Sequence, residues 1–143
     1  MQELITANVN GVHQGTIGTT ISVANRTFSS TANYTYNGTA IQNSGTFVTT
    51  PTANEVNNLT LNNTAGNTTT GVTLQQPIAV AGVLTLTSGH ITTDATNILT
   101  MNAGSNVAGQ NYGTRVPGST DNSFVNGPMR KIGNANFLFQ LVN

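Results

Sequence analysis

An apolar-Thr-apolar triplet recurs along this chain, as Leu59-Thr60-Leu61, Val72-Thr73-Leu74, Leu84-Thr85-Leu86 and Leu99-Thr100-Met101, each bordered by Asn, Gly, Ser or Thr. Successive side chains of a strand point to opposite faces, so each triplet predicts a short strand with two aliphatic side chains inward and one threonine outward. The starts fall at 59, 72, 84 and 99, and Ile78-Ala79-Val80 inserts one more alternating unit. The Leu59 and Leu84 triplets stand 25 residues apart with two other units between them. A repeat of that length with three short faces predicts an all-β fold, a right-handed parallel β-helix.

Helix is not supported, because Gly, Asn and Thr interrupt every window in which a 3.6-residue apolar period would run. Between the expected strands lie Asn37-Gly38, Ser44-Gly45, Ala81-Gly82, Ser88-Gly89 and Ala103-Gly104, residue pairs suited to the positive-φ corners of a coiling sheet. One circuit of about 25 residues cannot bury enough apolar surface to offset the entropy of ordering it, so circuits must stack to be stable. Short strands at regular spacing also suit a β-sandwich, which differs in having antiparallel pairs.

The chain of 143 residues reads as one elongated domain, 1–143, with four stretches. Residues 1–31 hold weaker strand signals at Leu4-Ile5, Thr16-Ile17, Thr20-Ile21-Ser22-Val23 and Thr27-Phe28, with Ile5, Ile17 and Phe28 stepping by 12 and 11 residues. Residues 32–109 carry the regular units, including Tyr34-Thr35-Tyr36 and Thr46-Phe47-Val48. Residues 110–122 lapse into Gly, Asn and Ser and predict a projecting loop. Residues 123–143 predict a turn at Asn126-Gly127-Pro128 and an aromatic strand at Phe137-Leu138-Phe139 that covers the last circuit as a partial cap.

Charge narrows the functional classes. Acidic and basic residues are balanced four against four and make up 6% of the chain, against roughly 25% in ordinary domains. Without a basic field the chain has no means of neutralising a phosphate backbone or holding an anionic membrane, so no nucleic acid is expected as a partner. No apolar run approaches the length of a membrane span, so no membrane insertion is expected. The absence of cysteine leaves the redox compartment open. The amino terminus has neither a basic nor an apolar leader region, so if exported the chain is expected to be a fragment or a mature segment.

The segments Tyr34-Thr35-Tyr36-Asn37-Gly38-Thr39-Ala40, Val56-Asn57-Asn58-Leu59-Thr60-Leu61-Asn62-Asn63, Gly82-Val83-Leu84-Thr85-Leu86-Thr87-Ser88-Gly89 and Ser123-Phe124-Val125-Asn126-Gly127-Pro128-Met129-Arg130-Lys131 together resemble repetitive surface proteins of Bacteroidetes. The resemblance runs from about Ala32 onward. It implies a long, repeat-built β-solenoid, adhesin-like, secreted by the type IX route and held at the outer cell surface. In that family the Phe-Val-Asn-Gly-Pro segment leads into an aromatic strand ending in Pro-Val-Gly, where this chain has Phe139-Gln140-Leu141-Val142-Asn143.

No catalytic residue, cofactor or metal is assigned, and the chain is expected not to be an enzyme. His90 and Asp94 would lie on one face of a straight strand about 13 Å apart, too far to share a proton. Four scattered carboxylates cannot imitate the repeated Asp turns of a calcium-binding solenoid, nor the clustered acid and base groups of a polysaccharide lyase. Arg130-Lys131 are expected to be exposed charges that protect a strand edge. The binding or assembly candidates are Thr60, Thr73, Thr85 and Thr100 as an outward ladder, Tyr34 and Tyr36 as sugar-stacking or core rings, and Phe137 and Phe139 at the end of the stack. The expected role is a structural or adhesive segment of an extracellular filament or cell-surface protein, partnered by itself or by adjacent repeats through edge-strand or end-to-end stacking. The alternatives are a neutral glycan-binding module and an ice-binding protein.

Overall fold

The computed structural model describes residues 2–13, 26–65, 71–111 and 122–139, and among them the chain forms strands and no helix. It runs through β1 (Glu3–Thr6) and β2 (Phe28–Ser29), then β3 (Asn33–Tyr36), β4 (Gln42–Asn43), β5 (Thr49–Thr50) and β6 (Glu55–Val56). Three circuits of three strands follow. They are β7 (Leu59–Asn62), β8 (Val72–Thr73) and β9 (Ile78–Val80); β10 (Val83–Ser88), β11 (Ile91–Thr92) and β12 (Leu99–Met101); and β13 (Asn106–Val107), β14 (Val125–Asn126) and β15 (Met129–Lys131).

Three sheets collect these strands in turn. The first has the order β1-β3-β7-β10-β13, the second β14-β11-β8-β4 and the third β15-β12-β9-β6, while β2 pairs with β5. Every described pairing is parallel. Parallel neighbours require a long crossover between them. From β3 onward the crossover from one strand of the first sheet to the next is a visit to the other two sheets. The antiparallel pairs on which a β-sandwich is built do not occur among the described residues.

Register turns the sequence spacing into columns of side chains. Leu4, Tyr34, Leu59, Leu84 and Val107 lie side by side across the first sheet, so the 25-residue interval seen in the sequence is one step of this column. Val72, Ile91 and Val125 line the second sheet, and Ile78, Leu99 and Met129 the third. These inward residues form a single apolar cluster, with Phe47 stacked on Tyr34 at 5.7 Å and edge-on to Phe28 at 5.8 Å. Branched and aromatic side chains at alternate positions suit such strands because each row packs on the row of its neighbour.

Tight corners separate the strands. Gly45 adopts φ +78°, and a Cβ there would strike the backbone of Val12 in the preceding circuit. Gly89 at φ +83° would meet the Asn63 carbonyl at 2.7 Å. Glycine at these positions permits both the left-handed backbone and the close approach of successive circuits.

Several expectations need correction. Leu4 and not Ile5 points inward in β1, because Leu4 pairs with buried Tyr34 and Ile5 is left 57% exposed. Ile17 and the strand signals at 16–23 lie outside the described residues. Thr46-Phe47-Val48 is not a strand: the side-chain amide of Gln76 takes both backbone groups of Phe47, accepting its N–H at 3.0 Å and donating to its carbonyl at 2.9 Å. Phe137-Leu138-Phe139 is not a strand either, since Leu138 N–H bonds the Gln110 side chain in place of a ladder partner. The Asn126-Gly127-Pro128 turn joins strands of two different sheets. Most of the expected 110–122 loop lies outside the described residues.

Candidate binding and assembly surfaces

The outward threonines do not form one ladder. Thr60 and Thr85 are neighbours on the first sheet, and Thr35 extends them to a column of three that ends at Ile5. Thr73 belongs to the second sheet, where its neighbours are Asn43 and Thr92 and the column ends at Asn126. Thr100 belongs to the third sheet between Ala79 and Arg130, and it is buried because Arg130 folds over it with Nη2 3.1 Å from its hydroxyl. The four triplets therefore fall on three faces, two of them on the first sheet, and the order of the faces scatters threonines that look equivalent in sequence. Other pairs of the first sheet are largely polar: Glu3 beside Asn33 and Val83 beside Asn106 on one side, and Asn62 beside Ser88 on the other.

Tyr34 and Tyr36 are core residues, each about 2% exposed or less. Their hydroxyls donate to the carbonyls of Ser29 at 2.9 Å and Ser44 at 2.8 Å. Burial pushes the Tyr34 hydroxyl up to about 12, and burial together with the neighbouring Tyr34 raises Tyr36 further. Neither ring has a face left for a sugar. Phe137 is half-buried against the core, and Phe139, exposed to 50%, meets it edge-on at 4.8 Å.

His90 and Asp94 have separate local roles. His90 is buried with its ring 3.8 Å from that of Phe124. Asp94 is an exposed turn former: its carboxylate accepts the N–H groups of Thr96 and Asn97, each at 2.7 Å, and the Asn97 side-chain amide at 3.0 Å. These bonds favour the charged form and lower its pKa, the Asn97 backbone contributing most. No group of three His, Cys, Asp or Glu converges to hold a metal among the described residues. A cleft of about 390 Å³ beside the first circuit is lined by Leu4, Phe28, Ala32 and Tyr34, with Glu3 as its one carboxylate. Such a lining offers shape but no paired acid and base.

Two polar residues invisible as signals in the sequence hold the circuits in register. Gln42 occupies the inward position of β4 and is fully buried, in the same column as Val72 and Ile91. Its amide nitrogen donates to the carbonyls of Thr6 and Asn8, and its oxygen accepts Gly38 N–H and Asn63 Nδ2. Asn63, also fully buried, in turn donates to Ala40 and receives Ala65 N–H. The pair ties the first three circuits together with its hydrogen-bonding groups satisfied, which is the condition for keeping an amide in a core. A polar residue at an inward position gives no apolar period, and beside Gln42 the apolar residue is the exposed Ile41, so only the three-dimensional register reveals the buried amide.

Compared with known proteins, the chain matches no family model, no curated protein and no solved structure.

Proposed function

We propose that this chain is a structural segment of a bacterial extracellular or cell-surface protein, a right-handed parallel β-helix that extends the molecule and meets adjacent repeats or further copies through its strand edges. The observation that carries the reading is the repeated order in which β7–β15 visit three parallel sheets, with Tyr34, Leu59 and Leu84 in one column at equal steps. In a stack of this kind each circuit is bonded mainly to its neighbours, so tension is met by ladders of backbone hydrogen bonds and not by one central core. The outward Thr and Asn columns suit exposure to solvent, where hydroxyl and amide side chains neither demand a partner nor attract opposite charge. The resemblance of the repeated segments to Bacteroidetes surface proteins supports the location. The role needs no cofactor and no catalytic group.

Pulling single molecules by their two ends tests this reading. A stack of circuits releases in successive steps, each near the extended length of one circuit of about 25 residues, roughly 80–90 Å. A single all-or-none release would instead describe a fold with one central core and remove the structural role. Binding to a neutral glycan surface that saturates at low concentration would move the chain to the class of ligand-binding modules.

A further inference from the structure

We infer that Lys131 is a stop that guards the exposed edge of the β13–β15 circuit, so that further copies of this chain do not add there and the edge left for assembly is that of the first circuit. The inference rests on the coiled reading above. At the corner leading into the first sheet, successive circuits are bonded through backbone N–H groups, with the Asn57 side-chain amide donating to Asn33 Oδ1 at 3.0 Å and Val83 N–H to Asn58 Oδ1 at 2.7 Å beside them. Asn57 N–H donates to the Ala32 carbonyl at 3.0 Å, Gly82 N–H to Asn57 at 2.7 Å, and Asn106 N–H to Gly82 at 3.1 Å. At the last corner the donor changes. The Lys131 ammonium bonds the carbonyls of Asn102 and Ser105, the latter at 3.0 Å, with the Ser105 hydroxyl at 3.3 Å. An ammonium has three donors and no acceptor, and all three are directed at this corner. The side chain thus takes the place that a backbone N–H of another circuit would occupy.

The position of Lys131 in the sheet makes the same point independently. It is the fourth member of the inward column Val56, Val80 and Met101, whose other three residues are fully buried. A circuit placed over it would have to bury the ammonium against apolar side chains, at a cost that stacking cannot recover. Inward charge on an edge strand is a recognised device against edge-to-edge association. Nearby groups close the same end. Gln110 N–H turns back to the β13 carbonyl of Val107 at 3.2 Å, Leu138 N–H bonds the Gln110 side chain, and the Phe137 ring lies 5.7 Å from Lys131 Nζ. In β1 of the first circuit the inward column is held by Leu4, not by a charge, and Ile5 is exposed.

Sedimentation velocity of the whole chain, from dilute to concentrated solution, tests the stop. Lys131→Met removes the charge and continues the Val56–Val80–Met101 column with an apolar side chain; it is expected to shift the weight-average mass to dimers or longer species. Lys131→Arg keeps the charge and should sediment as the unaltered chain does. A Lys131→Met variant with unaltered circular dichroism and an unaltered mass distribution overturns the inference. If Lys131→Met does not fold, Lys131→Gln, neutral but still able to donate, is read by the same criterion. Thr60→Cys with Thr85→Cys separates this failure from failure of the coil itself, because the two positions are paired on adjacent parallel strands and the native chain has no cysteine. Oxidation of that pair within one molecule, alongside a monomeric Lys131→Met variant, leaves the coil standing and removes the stop. No oxidation removes both.

Discussion

At the scale of single residues, the two core tyrosines make the fold sensitive to alkali. The Tyr34 hydroxyl, ordinarily ionising near 10, is raised to about 12 by burial, and Tyr36 is raised as well. Below pH 10 both folded and unfolded chains hold these protons, and the stabilisation is complete. As the pH climbs from 10 towards about 12, the unfolded chain releases protons that the folded chain still binds, so stability falls with rising pH. Urea midpoints are therefore expected to be flat near neutrality and to decline steadily above pH 10. Tyr34→Phe with Tyr36→Phe should flatten that decline while lowering stability at neutral pH, because each loses a hydroxyl bond to a backbone carbonyl. An equally steep alkaline decline in the double variant would place its origin elsewhere. Asp94 works in the opposite direction on a smaller scale: its lowered pKa means that the 94–97 turn is supported above the ordinary carboxylate range and loosens in acid.

Individual elements show how much of this fold is legible in sequence. The triplets at Leu59, Leu84 and Leu99 and the Ile78 unit become β7, β10, β12 and β9, because alternating aliphatic residues have one stable arrangement when only one face is buried. Their distribution over different sheets was not legible, and so the four threonines fall on three faces. Spacing along the chain records the length of each connection but not the direction in which it turns. β4 was the least visible element, since its inward residue is Gln42 and only two residues pair. Its stability depends on the amide network more than on apolar burial. Gln42→Ala would strand the carbonyls of Thr6 and Asn8, Gly38 N–H and Asn63 Nδ2 in or near the core, and water entering the vacated space can satisfy only part of that set. A loss of about 2–4 kcal/mol is expected in chemical denaturation. A loss below about 0.5 kcal/mol would mean that the amide contributes no more than an ordinary exposed side chain. The assembly candidates divide along the same line. Phe137 could be read as a covering residue from its aromatic character and Lys131 as an exposed charge on a strand edge, but the place of Lys131 in the inward column beside Met101 comes only from register.

For the whole molecule, the coiled arrangement proposed above implies, through nearest-neighbour bonding, a graded and not a uniform stability. β7 and β10 each have a parallel partner on both sides, while β1 and β13 have one. Opening a terminal circuit breaks one set of ladders, and opening a central circuit breaks two, so amide exchange should be slowest in the middle of the stack. The two ends should also differ. The last circuit is held by Lys131, by the Gln110 turn and by Phe137, whereas β1 is tied chiefly through its pairing with β3 and the Gln42 amide. Native-state hydrogen exchange is therefore expected to rank the amides of β7 and β10 as most protected, those of β15 next and those of β1 least. If all strands exchange with one common free energy, the chain opens as a single cooperative body. That outcome would count against circuits as the units of stability, and with them against the mechanical role, because a stack that cannot yield one circuit at a time has no graded response to load.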